Sequence, residues 1–285
     1  MTRAPVEGTI RSADGTTIAY ERSGSGPTVV MVDAAGGFRE MGPMRPLAAR
    51  LADEFTVVCY DRRGRGGSSD SAPYHVDREV DDLRALVEEI GAPACLFGFS
   101  SGAVLALVAA ARGLPVDRLA LLEPPLDLAS APTGEPGLAA EIAELVAAGR
   151  RGDAVAHFQT SIGVPAEMTE GMRESPWWPA LERLAHTLVY DLTIVDALPA
   201  EELARVTVPT LVVDSEQSDA RLREWAAGVV AALPHGHRRS MRGEWHQVPD
   251  ADLAPVLADF FAGRADLAGP AQRPQSGQVT ADAGR

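Results

Sequence analysis

The sequence predicts an α/β protein: a mostly parallel central sheet flanked by helices, with a helical segment inserted between two of its strands. Three observations carry this. Continuous apolar runs of strand length recur at residues 28–33, 55–61, 94–99, 117–123 and 208–214, as expected of strands covered on both faces. Segments of helical periodicity separate them, the pattern of a layered parallel sheet. The alternation then stops at about residue 126, where helical and loop-rich sequence takes over, and resumes at 208. These breaks divide the chain into a first part of the sheet domain at 1–125, a helical cap at 126–205 and a second part of the sheet domain at 206–264. A tail follows at 265–285, rich in Ala, Gly, Pro and Gln and expected to be disordered.

In order along the chain, residues 9–20 alternate and contain Ala13-Asp14-Gly15-Thr16, a hairpin signal. The strand at 28–33 leads into the loop Ala34-Ala35-Gly36-Gly37, then a helix over 44–51. The strand at 55–61 opens into the turn Arg62-Arg63-Gly64-Arg65-Gly66-Gly67-Ser68. A helix over 77–90 places Val80, Leu83, Val87 and Ile90 on one face and stops at Gly91. The strand at 117–123 is closed by Pro124-Pro125. After the insertion come a strand at 208–214, a helix over 219–233, a strand near 237–241 and a last helix over 252–261.

At 285 residues the chain holds one large α/β domain with room for an insertion. A net charge of −14 argues against nucleic acid and anionic membranes as partners. No apolar run is long enough to span a bilayer, and Met1 to Glu7 contains no hydrophobic export signal, so a cytoplasmic location is expected. Cys59 and Cys95 each lie in an apolar strand and read as buried free thiols. No metal cluster or nucleotide motif is present, so no cofactor is expected; the glycine turn at Gly64 lacks the third glycine of a dinucleotide fingerprint. A small-molecule substrate is the expected partner, and the reading allows a homodimer.

The chemistry centres on Gly98-Phe99-Ser100-Ser101-Gly102, a G-x-S-x-G turn between a strand and an apolar helix. Small residues at both ends let the two elements pass closely, and the helix N-terminus offers unpaired N–H groups to a developing anion. A serine needs a base, and the base needs an orienting partner. Of six histidines, His246 lies on the loop between the last strand and the last helix and would emerge at the same sheet edge as Ser100. His75, His157 and His186 have less reason to converge there, and His235 and His237 fall in a turn.

With these residues the chain resembles the α/β-hydrolases over most of residues 9–262. The carriers are the elbow around Ser100, the Asp61-Arg62-Arg63-Gly64-Arg65-Gly66-Gly67-Ser68 turn, which matches D-x-R-G-x-G-x-S, the strand 208–213 and His246. The resemblance implies an α/β-hydrolase fold, Ser100 as nucleophile, His246 as base, and an oxyanion hole from the N–H groups of Ala35 and Ser101. Two departures stand out. Asp33-Ala34 occupies the usual His-Gly position before the oxyanion loop; Asp33 is then protonated, turned to a backbone partner, or part of a changed chemistry. The acid usually follows the strand ending at Asp214, where alignment places Ser218, with Asp219 next. Some relatives, one haloalkane dehalogenase branch among them, carry a glutamate one strand earlier, and Glu123 is similar to that arrangement. A charge closing an apolar strand needs a partner, so Glu123 is preferred, ahead of Asp219, then Glu216 and Asp214.

A serine rather than an aspartate at the elbow makes acyl transfer the natural chemistry, on an ester, lactone, thioester or related carbonyl. A biosynthetic relative that hydrolyses or rearranges a complex natural product is the second reading, and a non-catalytic binding protein the third. Asp33, Ala34 and Phe99 beside the elbow, with Trp177, Trp178 and Tyr190 of the cap, are the candidate substrate contacts. His186 and Asp191 are further polar candidates in the cap.

Overall fold

The computed structural model describes residues 4–91, 93–129 and 137–264; the tail expected at 265–285 lies outside them. The chain opens with β1 (Val6–Arg11), β2 (Thr17–Gly24), β3 (Thr28–Val32), α1 (Met44–Leu51), β4 (Thr56–Tyr60), α2 (Val76–Ile90), β5 (Ala94–Phe99), α3 (Ser101–Ala111) and β6 (Val116–Leu122). Among the described residues five α-helices and two short 3-10 helices follow before the next strand; the α-helices are α4 (Leu138–Ala147), α5 (Arg151–Ile162), α6 (Ala166–Arg173), α7 (Trp178–Leu184) and α8 (Leu188–Val195). The chain then completes the sheet with β7 (Thr210–Ser215), α9 (Ala220–Ala232), β8 (Gly236–Met241) and α10 (Asp250–Phe261).

The eight strands run in the order β1-β2-β4-β3-β5-β6-β7-β8. β1–β2 and β2–β4 pair antiparallel, and every other neighbouring pair is parallel. The apolar runs are continuous because alternate residues feed two cores. Val30, Val32, Leu96, Leu119, Leu121 and Val212 face one core with α2, α3 and α9. Val29, Met31, Phe97, Ala120, Leu122 and Val213 face the other with α1 and α10. Cys59 and Cys95 join this second core as free, buried thiols. The inserted helices have a smaller core of their own around Ile142, Val155, Phe158, Trp178 and Leu188. No helix of the described residues is long and apolar enough to cross a membrane.

Caps explain two side chains that carry chemical potential in the sequence. His75 caps α2, its Nδ1 accepting the Asp77 N–H at 3.2 Å. Asp219 caps α9, its Oδ1 accepting the Leu222 N–H at 2.9 Å.

The strand–turn–helix at Ser100 is packed tightly enough to require glycine. A Cβ on Gly98 would lie 2.5 Å from Ala103 Cα and 2.6 Å from Gly102 O; one on Gly102 would meet Val32 O and lie 2.6 Å from Asp33 O. These are backbone atoms that cannot swing aside. Gly102→Ala is therefore expected to destabilise the fold by about 1–3 kcal/mol through overpacking. Gly228→Ala in α9, where an added Cβ meets nothing within 4 Å, is expected to gain up to about 1 kcal/mol from helix propensity. Urea unfolding of both variants checks the pair; a Gly102→Ala variant as stable as wild type would refute the tight approach of α3 to β3.

Candidate active site

The parallel strands β5 to β8 deliver the loops that follow them to one edge of the sheet, and that is where Ser100, Glu123 and His246 meet. Ser100 follows β5 and precedes α3 with φ 53° and ψ −125°; its N–H donates to Leu122 O at 2.9 Å. Glu123 follows β6 with φ 46° and is completely buried; its N–H donates to Val213 O at 2.9 Å. His246 lies between β8 and α10 with φ 55°; its N–H donates to Ser218 Oγ at 3.0 Å. Among the described residues these three are the only non-glycine positions in the left-handed region.

The side chains of Glu123 and His246 are linked as well. Glu123 Oε2 lies 2.7 Å from His246 Nδ1, and Oε1 accepts the Ser215 N–H at 2.8 Å. The imidazole packs against Phe99, ring centroids 4.8 Å apart, and Trp245, at 5.4 Å. Ser100 and His246 line one cavity of about 370 Å³. The Ser100 hydroxyl has no hydrogen-bond partner among the described residues. The N–H groups of Ala35 and Ser101, which border the same cavity, have no acceptor among them. The remaining wall is mostly apolar: Val155, Phe158 and Ile162 of α5, Leu181 and Leu184 of α7, Leu188, Leu192 and Val195 of α8, with Leu222, Trp225 and Trp245 opposite.

Beneath the cavity lies a buried cluster of charge. Arg62 makes a two-pronged bond to Glu79, both at 2.8 Å, and reaches Asp191 Oδ1 at 2.6 Å. Arg65 bonds Asp191 Oδ2 at 2.6 Å and Ala34 O at 2.6 Å. The Ser101 hydroxyl donates to Asp191 Oδ1 at 2.7 Å. Burial works to raise the Asp191 carboxyl, but the Arg65 and Arg62 charges prevail and hold it below the ordinary carboxylate range.

Several expectations need correction. Asp33 does not line the cavity: it is buried behind the loop, its Oδ1 accepting the Ala34 N–H at 2.8 Å. Burial pushes its carboxyl up to about 6, against the Ala34 hydrogen bond and the Arg65 and Arg62 charges. Trp177 is exposed, and Trp178 packs in the core of the insertion with its indole N–H on Glu182 Oε1 at 3.0 Å. Tyr190 turns away, stacked on Tyr74 at 3.9 Å and donating to Asp70 at 2.8 Å. His186 faces Asp70 at 3.4 Å, also away from the cavity. Ala34 and Phe99 do line it. Of the other acids weighed for the imidazole, Asp219 serves its cap, Glu216 is exposed, and Asp214 is engaged two-pronged by Arg238 at 2.8 and 2.9 Å. Besides Phe99 and Phe158, the aromatic residues Trp225 and Trp245 line the cavity, and neither is among the contacts expected from the sequence. Trp245 adjoins His246, and Trp225 lies one helical turn beyond Leu222, which is the signal each carries.

The sequence profile of the alpha/beta hydrolase family matches residues 24–265. An alpha/beta hydrolase from Sphaerobacter thermophilus DSM 20745 superposes with a TM-score of 0.82 at 45% identity, covering 89% of this chain and 100% of that one. The uncharacterized hydrolase YraK of Bacillus subtilis is 39% identical over 97 residues, 33% of this chain and 35% of that protein, so the chain aligns with about a third of this curated relative's length. The esterase RhEst1 from Rhodococcus sp. ECU1013 shares the fold, with a TM-score of 0.68 at 18% identity over 91% of this chain and 99% of that one. A profile that matches most of the sequence and a near-complete structural counterpart at 45% identity lead to one conclusion: the chain belongs to the alpha/beta hydrolase family.

Proposed function

We propose that the protein is a serine hydrolase that cleaves an ester, lactone, thioester or related carbonyl through an acyl-enzyme on Ser100. The observation that carries this reading is the coincidence of strain and chemistry: the three non-glycine residues with positive φ among those described are the serine, the acid and the histidine that acyl transfer requires.

On this reading each residue has a distinct role. His246 takes the Ser100 proton as Oγ attacks the carbonyl carbon, and Glu123, on Nδ1, fixes the ring's tautomer and offsets the charge that the imidazolium gains. The Ala35 and Ser101 N–H groups receive the oxyanion. His246 then protonates the leaving group, and a water activated by the same imidazole frees Ser100. The apolar wall suits an uncharged, mid-sized acyl or alkyl group. Asp33 and Glu123 motivate the alternative of a rearranging enzyme; with Asp33 bonded to a backbone N–H and Glu123 to His246, neither favours it over hydrolysis.

Intact mass after exposure to an organophosphonate serine probe tests the reading. Wild type is expected to gain one adduct and Ser100→Ala none; a folded wild type that takes no label would overturn acyl transfer and leave a binding role. On short p-nitrophenyl esters, Glu123→Gln is expected to lose about 10³- to 10⁴-fold in kcat. Asp219→Asn keeps a good helix cap and should stay near wild type, and the reverse pattern would remove Glu123 from its role.

Asp33 gives a pH prediction. Its carboxyl is raised to about 6 in the folded chain from an ordinary 3.8. Between these values the unfolded chain ionises while the folded chain stays protonated, so stability falls as pH rises from about 4 to about 6. Relative to Asp33→Asn, wild type should lose about 3 kcal/mol across that window, measured by urea unfolding at each pH. A pH-independent difference would mean that the buried carboxyl ionises normally.

A further inference from the structure

We propose that Asp191 is a positioning residue that sets both donors of the oxyanion hole from the inserted helix α8. This rests on the acyl-transfer reading above and goes further, because it gives a role to a residue that touches neither the nucleophile nor the base.

The geometry runs through two links. The first is the peptide between Ala34 and Ala35. Arg65 Nη1 grips Ala34 O at 2.6 Å and Gly37 O at 3.3 Å. A peptide unit is planar, with its C=O and N–H pointing in opposite directions, so the grip on Ala34 O turns the Ala35 N–H away from the arginine, and Ala35 borders the cavity. Arg65 is itself held by Asp191 Oδ2 at 2.6 Å, the one carboxylate that pairs with it among the described residues. The second link is Ser101. Its hydroxyl donates to Asp191 Oδ1 at 2.7 Å, which fixes the first residue of α3 and thereby the Ser101 N–H. Arg62 reinforces both ends, meeting Asp191 Oδ1 at 2.6 Å and Asp33 O at 3.3 Å.

Asp191 is also on the face of α8 that forms the pocket. Leu188, Asp191, Leu192 and Val195 follow the helical spacing and all line the cavity. The helix that contacts an acyl group therefore carries the carboxylate that aims the oxyanion donors. A merely structural role is distinguishable, because Arg62 keeps its two-pronged bond to Glu79 when Asp191 loses its charge. Such a role would lower stability and leave turnover of the folded protein intact.

The test is steady-state hydrolysis of a p-nitrophenyl ester together with the rate of Ser100 phosphonylation, for wild type, Asp191→Asn, Ser101→Ala and Ser100→Ala. Asp191→Asn, shown folded by circular dichroism at the assay temperature, is expected to lose about 10- to 100-fold in kcat, part of what outright removal of an oxyanion donor costs. KM should move less than about twofold, and phosphonylation should slow by the factor seen in kcat, since the P=O group occupies the same hole. A folded Asp191→Asn with wild-type kcat would overturn the proposal. If that variant does not fold, Ser101→Ala decides: it removes one hydrogen bond to Asp191 and should lower kcat about 3- to 10-fold with KM unmoved, and an unchanged kcat would overturn the role. A wild type that neither turns over nor labels would instead sink the underlying acyl-transfer reading.

Discussion

Three guanidinium groups from a single turn, those of Arg62, Arg63 and Arg65, are cut off from water, and the arrangement of the site follows from the need to neutralise them. A buried charge is costly unless it is paired. Arg62 and Arg63 take Glu79 and Asp82, three residues apart on α2. Arg63 also takes Asp14 from the turn between β1 and β2. Arg62 and Arg65 share Asp191 from α8 and end on the carbonyls of Asp33, Ala34 and Gly37. One turn thus ties the antiparallel hairpin, a flanking helix, the loop before the cavity and the insertion to each other. The insertion carries much of the greasy wall, and this buried carboxylate joins the packing of Ile194 and Leu198 against the main core in docking it beside Ser100.

The site stores backbone strain at three points, each worth about 1–3 kcal/mol. Left-handed φ at Ser100, Glu123 and His246 persists because each N–H is pinned to a different neighbour: Ser100 to Leu122 O, Glu123 to Val213 O, His246 to Ser218 Oγ. The first two are carbonyls of adjacent strands, so the sheet holds the bends open. The third is a side chain, and the His246 loop is closed besides by two backbone bonds between Glu244 and Gln247, at 2.9 and 3.2 Å.

The sheet was legible in the sequence because burial on both faces leaves unbroken apolar runs, and the helix expected at 44–51 coincides with α1. Where boundaries shift, hydrogen bonding explains it: the run at 208 begins pairing only at Thr210, since Pro209 has no N–H to offer the ladder. Ser100 was legible from glycine spacing, and Glu123 from its resemblance to relatives with a glutamate at this strand end together with the cost of an unpaired charge there. The cavity wall was not. Trp177, Trp178 and Tyr190 are apolar enough for such a wall, but whether a side chain faces Ser100 depends on the phase of short helices against a surface no local pattern encodes. Tyr190 lies two residues past Leu188, across the helix from the wall. Asp191, an acid at the third place after Leu188 and just before Leu192, breaks an apolar stripe, and that break was the readable sign of a buried pair.

The position of the acid shows how two strand ends have divided one task. The relatives that the sequence resembles usually carry the acid on the loop after β7. Here the end of β7 and the loop after it supply support: Ser215, the last residue of β7, donates its N–H to Glu123 Oε1, and Ser218 in the loop accepts the His246 N–H. The charge comes instead from the end of β6, one strand nearer Ser100 in the sheet order. Glu123 reaches from that strand end across to His246 while its second oxygen stays anchored on β7. The burial that makes such a carboxylate costly also keeps its field on the imidazole undiluted by water. The carboxyl group on His246 Nδ1 thus comes from the end of β6 and is held from β7, so two strand ends together fix one contact.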